Sequence, residues 1–319
     1  MERPPGTLLI FLSIVACARE RNQAAGASDS ARHFQLSQLA VDSVPAPPVA
    51  DSSFTAAPDS PLVLFLVDAE DSGRYSLDPI ALIAADQLKR PPVADMNDSA
   101  ANVFRRAFYG RGQKYRVLSG GEELGVAGGG AALEPGCYGL EASAHVRLSR
   151  PAPKDEPLFA TNDARIRPDD ASREPLSGED RELLYSRISQ MLADSGIPAS
   201  ARGKSFIIAG ARIQAPGANP FLVGTLRVDS TENGGDRIIS VLLVLDSTAS
   251  GYRQTLVTYQ NGLEANAANE RYVAALDIDG SGSPELITRT TFYEWYSYTV
   301  YQRKPAGWHA WYTGGGAGC

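Results

Sequence analysis

Residues 205–312 are broken at close, regular intervals, and that rhythm constrains the fold more than anything else in the chain. Runs of strand length occupy 205–214, 220–229, 237–246, 252–259, 272–278, 285–293, 295–303 and 307–312. Turn signals such as Asn233-Gly234-Gly235-Asp236 and Pro305-Ala306-Gly307 stand between them. Short strands at spacings of about ten residues build an antiparallel sheet, a sandwich or part of a propeller. No long motif recurs, so a complete propeller from this chain is not expected. The 30 Gly and 21 Pro among 319 residues suit the many turns such a fold needs.

One helix precedes these strands. Ser177 can cap it, and Asp180 stands at the third helical position, as in a capping box. Leu183, Leu184, Ile188, Met191 and Leu192 then form an apolar face that should pack on the sheet that follows, and Gly196 and Pro198 stop the helix. Upstream, residues 61–150 read as a small β-rich domain. Pro61–Val67 is a continuous apolar run, Ile80–Ala85 is a second, and Asp98–Phe108 is a short helix with Val103, Phe104, Ala107 and Phe108 on one face. Lys114–Leu118 and Glu123–Ala127 form a hairpin, and Tyr138–Leu148 alternates as a strand. Residues 151–175, rich in Pro and charge, read as a linker. The expected class is mainly β, a β-rich α+β arrangement. A small β domain with one short helix comes first. Residues 176–319 follow as a helix and an antiparallel multi-strand sheet or sandwich.

The N-terminal segment carries an address. Thr7–Ala16 is an apolar run too short to span a bilayer as a helix, and it fits the h-region of a signal peptide. Ile14-Val15-Ala16-Cys17 resembles the lipobox of bacterial lipoproteins, in which the Cys is diacylated and becomes the new N-terminus. Ile14 stands where Leu is commoner. The resemblance implies a signal peptide over 1–17 and lipidation at Cys17. It places the protein at the bacterial cell envelope, extracytoplasmic and anchored to a membrane, since two acyl chains hold stably. Ala16-Cys17-Ala18 also satisfies a small-x-small cleavage site, so ordinary secretion remains a second reading. Residues 18–60, rich in Ala, Ser, Asp and Pro, read as a disordered tether.

One segment has metal-ligand spacing. Asp277-Ile278-Asp279-Gly280-Ser281-Gly282-Ser283-Pro284-Glu285 places oxygen donors at every second position, with Gly282 permitting a tight wrap. Calcium takes six to eight oxygen ligands. Asp277, Asp279, Ser281 and Glu285 offer side-chain oxygens, and Ser283 offers its carbonyl. The loop is not an EF-hand, because its twelfth position is Thr288 and strands flank it. With Val273–Leu276 before it and Leu286-Ile287 after it, the segment resembles the Asp-rich loops of FG-GAP and VCBS-type repeats. In that family the loop joins two adjacent strands and holds calcium, so the resemblance implies calcium as cofactor. Ser281 departs from the pattern, standing where the family has Asp or Asn.

Aromatic residues crowd the last strands. Trp295, Tyr296, Tyr298, Trp308 and Trp311 can form a face that stacks on a glycan or a protein partner, or they can fill the core of a twisted sheet. If Cys17 is lipidated, Cys137 and Cys319 are the two thiols left, and a bond between them would suit an oxidising compartment. The net charge of −7 gives no basic excess for a phosphate backbone, so nucleic acid is not an expected partner. Arg202-Gly203-Lys204-Ser205 lacks the upstream Gly of a P-loop, and neither a Gly-x-Ser-x-Gly elbow nor a His-Glu-x-x-His pair occurs. No catalytic residue is assigned. The sequence favours a non-catalytic, envelope-anchored binding or structural module. The alternative is an extracytoplasmic carboxylate-based hydrolase acting on glycans, whose acids can come from distant positions.

Overall fold

Leu62–Val67 is apolar at every position because both of its faces are buried. It lies in strand β1 (Leu62–Ala69). Val63, Phe65 and Val67 face one core, and Leu64 and Leu66 face another. The computed structural model describes residues 62–318 apart from 70–73, 85–86, 93–98, 111, 120, 133–138, 154–155, 167–171, 203–205, 217, 233–234 and 264–266. The expected signal peptide and tether, and with them Cys17, lie outside the described residues, as do Cys137 and Cys319.

The first core is the inside of a closed barrel. β1 pairs on one side with β2 (Tyr75–Ala84), which also carries the short β3 (Gln87–Lys89). On its other side β1 pairs with β7 (Leu158–Thr161). The circle closes through β4 (Tyr115–Ser119), β5 (Glu122–Ala132) and β6 (Ala142–Leu148), in the order β1-β7-β4-β5-β6-β2. Closure leaves these six strands without a free edge. Helix α1 (Ser99–Phe108) lends Phe104 and Phe108 to the interior, where Phe65 meets Phe108 and Tyr115 edge-on. Each such fully buried ring contributes about 2 kcal/mol. Residues 151–175, expected as a linker, supply two strands instead: β7 and β8 (Ser172–Glu174). β7 is only four residues long, but all four are buried, and it completes the barrel.

The eight strand-length runs after residue 205 all become strands, divided between two sheets. β8 joins β9 (Phe206–Gln214), β10 (Phe221–Glu232), β11 (Gly235–Thr248) and β12 (Gly251–Leu263) in a five-stranded sheet. β13 (Asn269–Leu276), β14 (Glu285–Thr291), β15 (Tyr296–Lys304) and β16 (Gly307–Gly314) make a four-stranded sheet. The pairings within both are antiparallel. Helix α2 (Gly178–Asp194) forms as its sequence predicts. Ser177 Oγ accepts from the Asp180 N–H, and Asp180 Oδ2 accepts from the Ser177 N–H, completing the capping box. Leu184, Ile188 and Leu192 bury the helix against the five-stranded sheet, and α3 (Ala199–Arg202) follows.

These parts stack in layers. The outer surface of β1, β2 and β7 packs on one face of the four-stranded sheet through Leu64, Ile80, Phe159, Ile287 and Tyr298. The opposite face packs on the five-stranded sheet through Tyr272, Leu286, Tyr301, Val223 and Val244. The four-stranded sheet is therefore a middle layer, buried on both sides. Alternation divides its side chains between the faces, so Val300 faces the barrel while its neighbour Tyr301 faces the five-stranded sheet. A register shift opposite them, at Trp311 of β16, lets Trp311 and Tyr312 both pack toward the barrel.

Candidate functional site

The Asp-rich segment is the connection between β13 and β14, which pair directly. Gly280 and Gly282 adopt φ of 73° and 82°, where a side chain would strain the backbone. The wrap brings one carboxylate oxygen each from Asp277, Asp279 and Glu285 within 4.8 Å of one another. Three partners set their orientation. Asp277 Oδ2 accepts from the Gly282 N–H at 3.0 Å, Glu285 Oε2 accepts from the Ile278 N–H at 2.8 Å, and Asp279 Oδ1 accepts from the Ser281 N–H at 2.8 Å. A fourth comes from the neighbouring strand, where Gln302 Nε2 donates to Asp279 Oδ2 at 2.8 Å.

The electrostatics of the loop favour an added positive charge. Burial pushes the Glu285 carboxyl up to about 8, and the Asp279 and Asp277 carboxylates add to that rise against the Ile278 N–H. Burial likewise raises Asp277, opposed by the Gly282 N–H. Asp277 is only 6% exposed, and among the described residues its Oδ1 has no hydrogen-bond partner. A buried carboxylate oxygen left alone is costly, and a cation satisfies it. The donor set is hard oxygen, as calcium or magnesium requires. The two expected serine ligands are placed differently. Ser281 Oγ donates to the Ser283 carbonyl at 3.4 Å and accepts from the Ser283 N–H at 3.3 Å, so the pair satisfies itself on the exposed rim.

The expected aromatic face is divided. Tyr298 is fully buried and faces the barrel, with Tyr296 and Trp311 half-buried on the same side. Trp308 is buried on the opposite side of the sheet. Its ring meets Phe221 edge-on, and its Nε1 donates to Asp246 at 3.3 Å. Trp295 stacks on Phe292 at 3.8 Å beside Tyr293, which is 69% exposed. Five residues that are neighbours in sequence thus serve two cores and one hairpin tip, because side chains alternate across a sheet that is covered on both faces.

A second polar cluster has no sequence signature. Asp78, on β2 and 1% exposed, accepts from Tyr298 Oη through Oδ2 at 2.5 Å. The Tyr296 hydroxyl oxygen lies 2.8 Å from the same Oδ2 and 2.6 Å from Glu141 Oε1. Arg289 stacks over the Tyr296 ring at 3.7 Å. Burial, reinforced by the Glu141 charge, pushes Asp78 up to about 7. No local spacing announces this group, because Asp78 and Tyr298 are 220 positions apart.

No family model, no curated protein and no solved structure matches this chain. Among the described residues, no helix is long and apolar enough to cross a membrane.

Proposed function

We propose that the protein is a lipid-anchored, extracytoplasmic module of the bacterial envelope, non-catalytic, whose β13–β14 loop binds calcium and is stiffened by it. One observation supports the ion most directly: three carboxylates converge while Asp277 Oδ1 is buried with no hydrogen-bond partner among the described residues. The lipobox-like Ile14–Cys17 supports the anchor. The alternative, a two-carboxylate glycan hydrolase, has less in its favour. Outside the acidic loop, Asp78 and Glu141 are a pair with a raised carboxyl, but the Tyr296 hydroxyl sits between them where a glycosidic bond would have to lie, and Asp78 is shielded from solvent.

The test is a calcium titration of the full chain, followed by calorimetry and thermal melting, with Asp279→Ala alongside. Binding should raise the melting temperature in the wild type and not in the variant. At a calcium concentration of about 100 times Kd the gain is about 2.7 kcal/mol. Absence of binding up to millimolar calcium would leave the loop as a turn and remove calcium from the proposal. For the anchor, Cys17→Ser should release the protein from the membrane fraction of a bacterial host that processes lipoproteins.

A further inference from the structure

We propose that Asp78 and Glu141 share a single proton through the Tyr296 hydroxyl, and that this proton is a pH-operated latch holding the barrel to the four-stranded sheet. The argument begins with a count. A phenol carries one hydrogen and can donate it once. Yet the Tyr296 oxygen lies within hydrogen-bond distance of two carboxyl oxygens, Asp78 Oδ2 and Glu141 Oε1. With both acids ionised, one contact would set a lone pair against a negative oxygen. Both become hydrogen bonds only if one carboxyl brings a proton of its own.

The surroundings place that proton on Asp78. Among the described residues its buried Oδ1 has no hydrogen-bond partner, so an ionised Asp78 would leave a charged oxygen dry. Glu141 is half-buried and can keep part of its hydration. The consistent chain is Tyr298 O–H to Asp78 Oδ2, Asp78 O–H to Tyr296, and Tyr296 O–H to the Glu141 carboxylate. The other groups facing Asp78 modulate this without replacing it. Arg289 on β14 favours its ionised form, whereas Tyr109 behind α1 is near enough to be raised by its charge. Asp68, at the exposed end of β1, faces Arg289 and Glu141 as well. Asp78 and Glu141 belong to the barrel side, and Arg289, Tyr296 and Tyr298 to the sheet, so every bond of the chain crosses between layers.

The sign follows from the raised carboxyl. Asp78 holds its proton more tightly in the folded protein than in an unfolded chain, where its ordinary value is 3.8. The stabilisation is therefore complete below about pH 4 and is lost as pH rises through about 7. The latch closes in mild acid and loosens above neutrality.

The test compares the wild-type full chain with Glu141→Gln and Asp78→Asn. A glutamine amide can donate to Tyr296 permanently, which frees the Tyr296 hydrogen for an ionised Asp78. The wild-type melting temperature should fall by a few degrees between about pH 5 and about pH 8, and Glu141→Gln should flatten that fall. Infrared difference spectra near pH 6 should show a protonated-carboxyl band in the wild type that both variants lack. Glu285 titrates in a neighbouring range, but it is common to all three proteins and cancels in the differences. A pH slope unchanged in Glu141→Gln, or a difference band absent from the wild type, would overturn the latch. If Asp78→Asn fails to fold, the half-buried Glu141 position still decides the question.

Discussion

Glu270 shows at the residue scale how this protein keeps charge inside its core. It is buried on β13, and its carboxylate accepts from Thr288 Oγ1 at 2.7 Å, Tyr301 Oη at 2.8 Å and, from the five-stranded sheet, Thr258 Oγ1 at 2.7 Å. Three hydroxyls thus replace water around one acid. Glu270→Ala strands all three and should cost about 3 kcal/mol in urea unfolding, with Glu270→Gln costing less because it keeps an acceptor. At the surface of the same body, Ser177→Ala removes one arm of the α2 capping box and should cost about 1 kcal/mol in the same assay. The two cases differ in how they can be read. Ser177 and Asp180, like Asp277, Asp279 and Glu285, meet across a few residues, so their spacing alone predicts the contact. Glu270, Asp78 and Glu141 are ordinary acids in a linear reading, because their partners come from distant strands, across one sheet for Thr288 and Tyr301 and between layers for Thr258, Tyr296 and Tyr298.

At the scale of elements, strand rhythm is legible and closure is not. The eight runs after residue 205 have enough length and alternation to declare themselves. β7 offers four residues in a Pro- and charge-rich stretch, and only its two neighbours, β1 and β4, give it a place. The glycine-rich segment after β16 also proves to be structural. A Cβ on Gly315 would collide with the Ile80 carbonyl oxygen, and one on Gly316 would collide with the Tyr296 carbonyl oxygen. Both residues have positive φ, so their composition reflects a close seam between barrel and sheet. Gly316→Ala should destabilise by at least about 2 kcal/mol in thermal or urea unfolding. Gly178→Ala, where a Cβ has open space at the start of α2, should stay within about 0.5 kcal/mol of the wild type.

For the molecule as a whole, the seam bears on the expected disulfide. A Cβ placed on Gly139 would lie 3.3 Å from Ala317 Cβ, so the backbone two positions beyond Cys137 meets the backbone two positions before Cys319. Peptide mapping of unreduced protein from an oxidising compartment should recover a Cys137–Cys319 crosslink, and reduction should lower the melting temperature, since the bond would close a very long loop. Free thiols at both positions would remove the bond from the picture. The order of layers has a temporal consequence as well. The middle layer, β13 to β16, follows both of its neighbours along the chain. A chain that emerges N-terminus first, from the ribosome or from a translocation pore, therefore presents the strands of the barrel and of the five-stranded sheet first, while the surface that covers each has yet to emerge. Two apolar flanks stay open to chaperones and to other chains until the last hairpins emerge and slide between them.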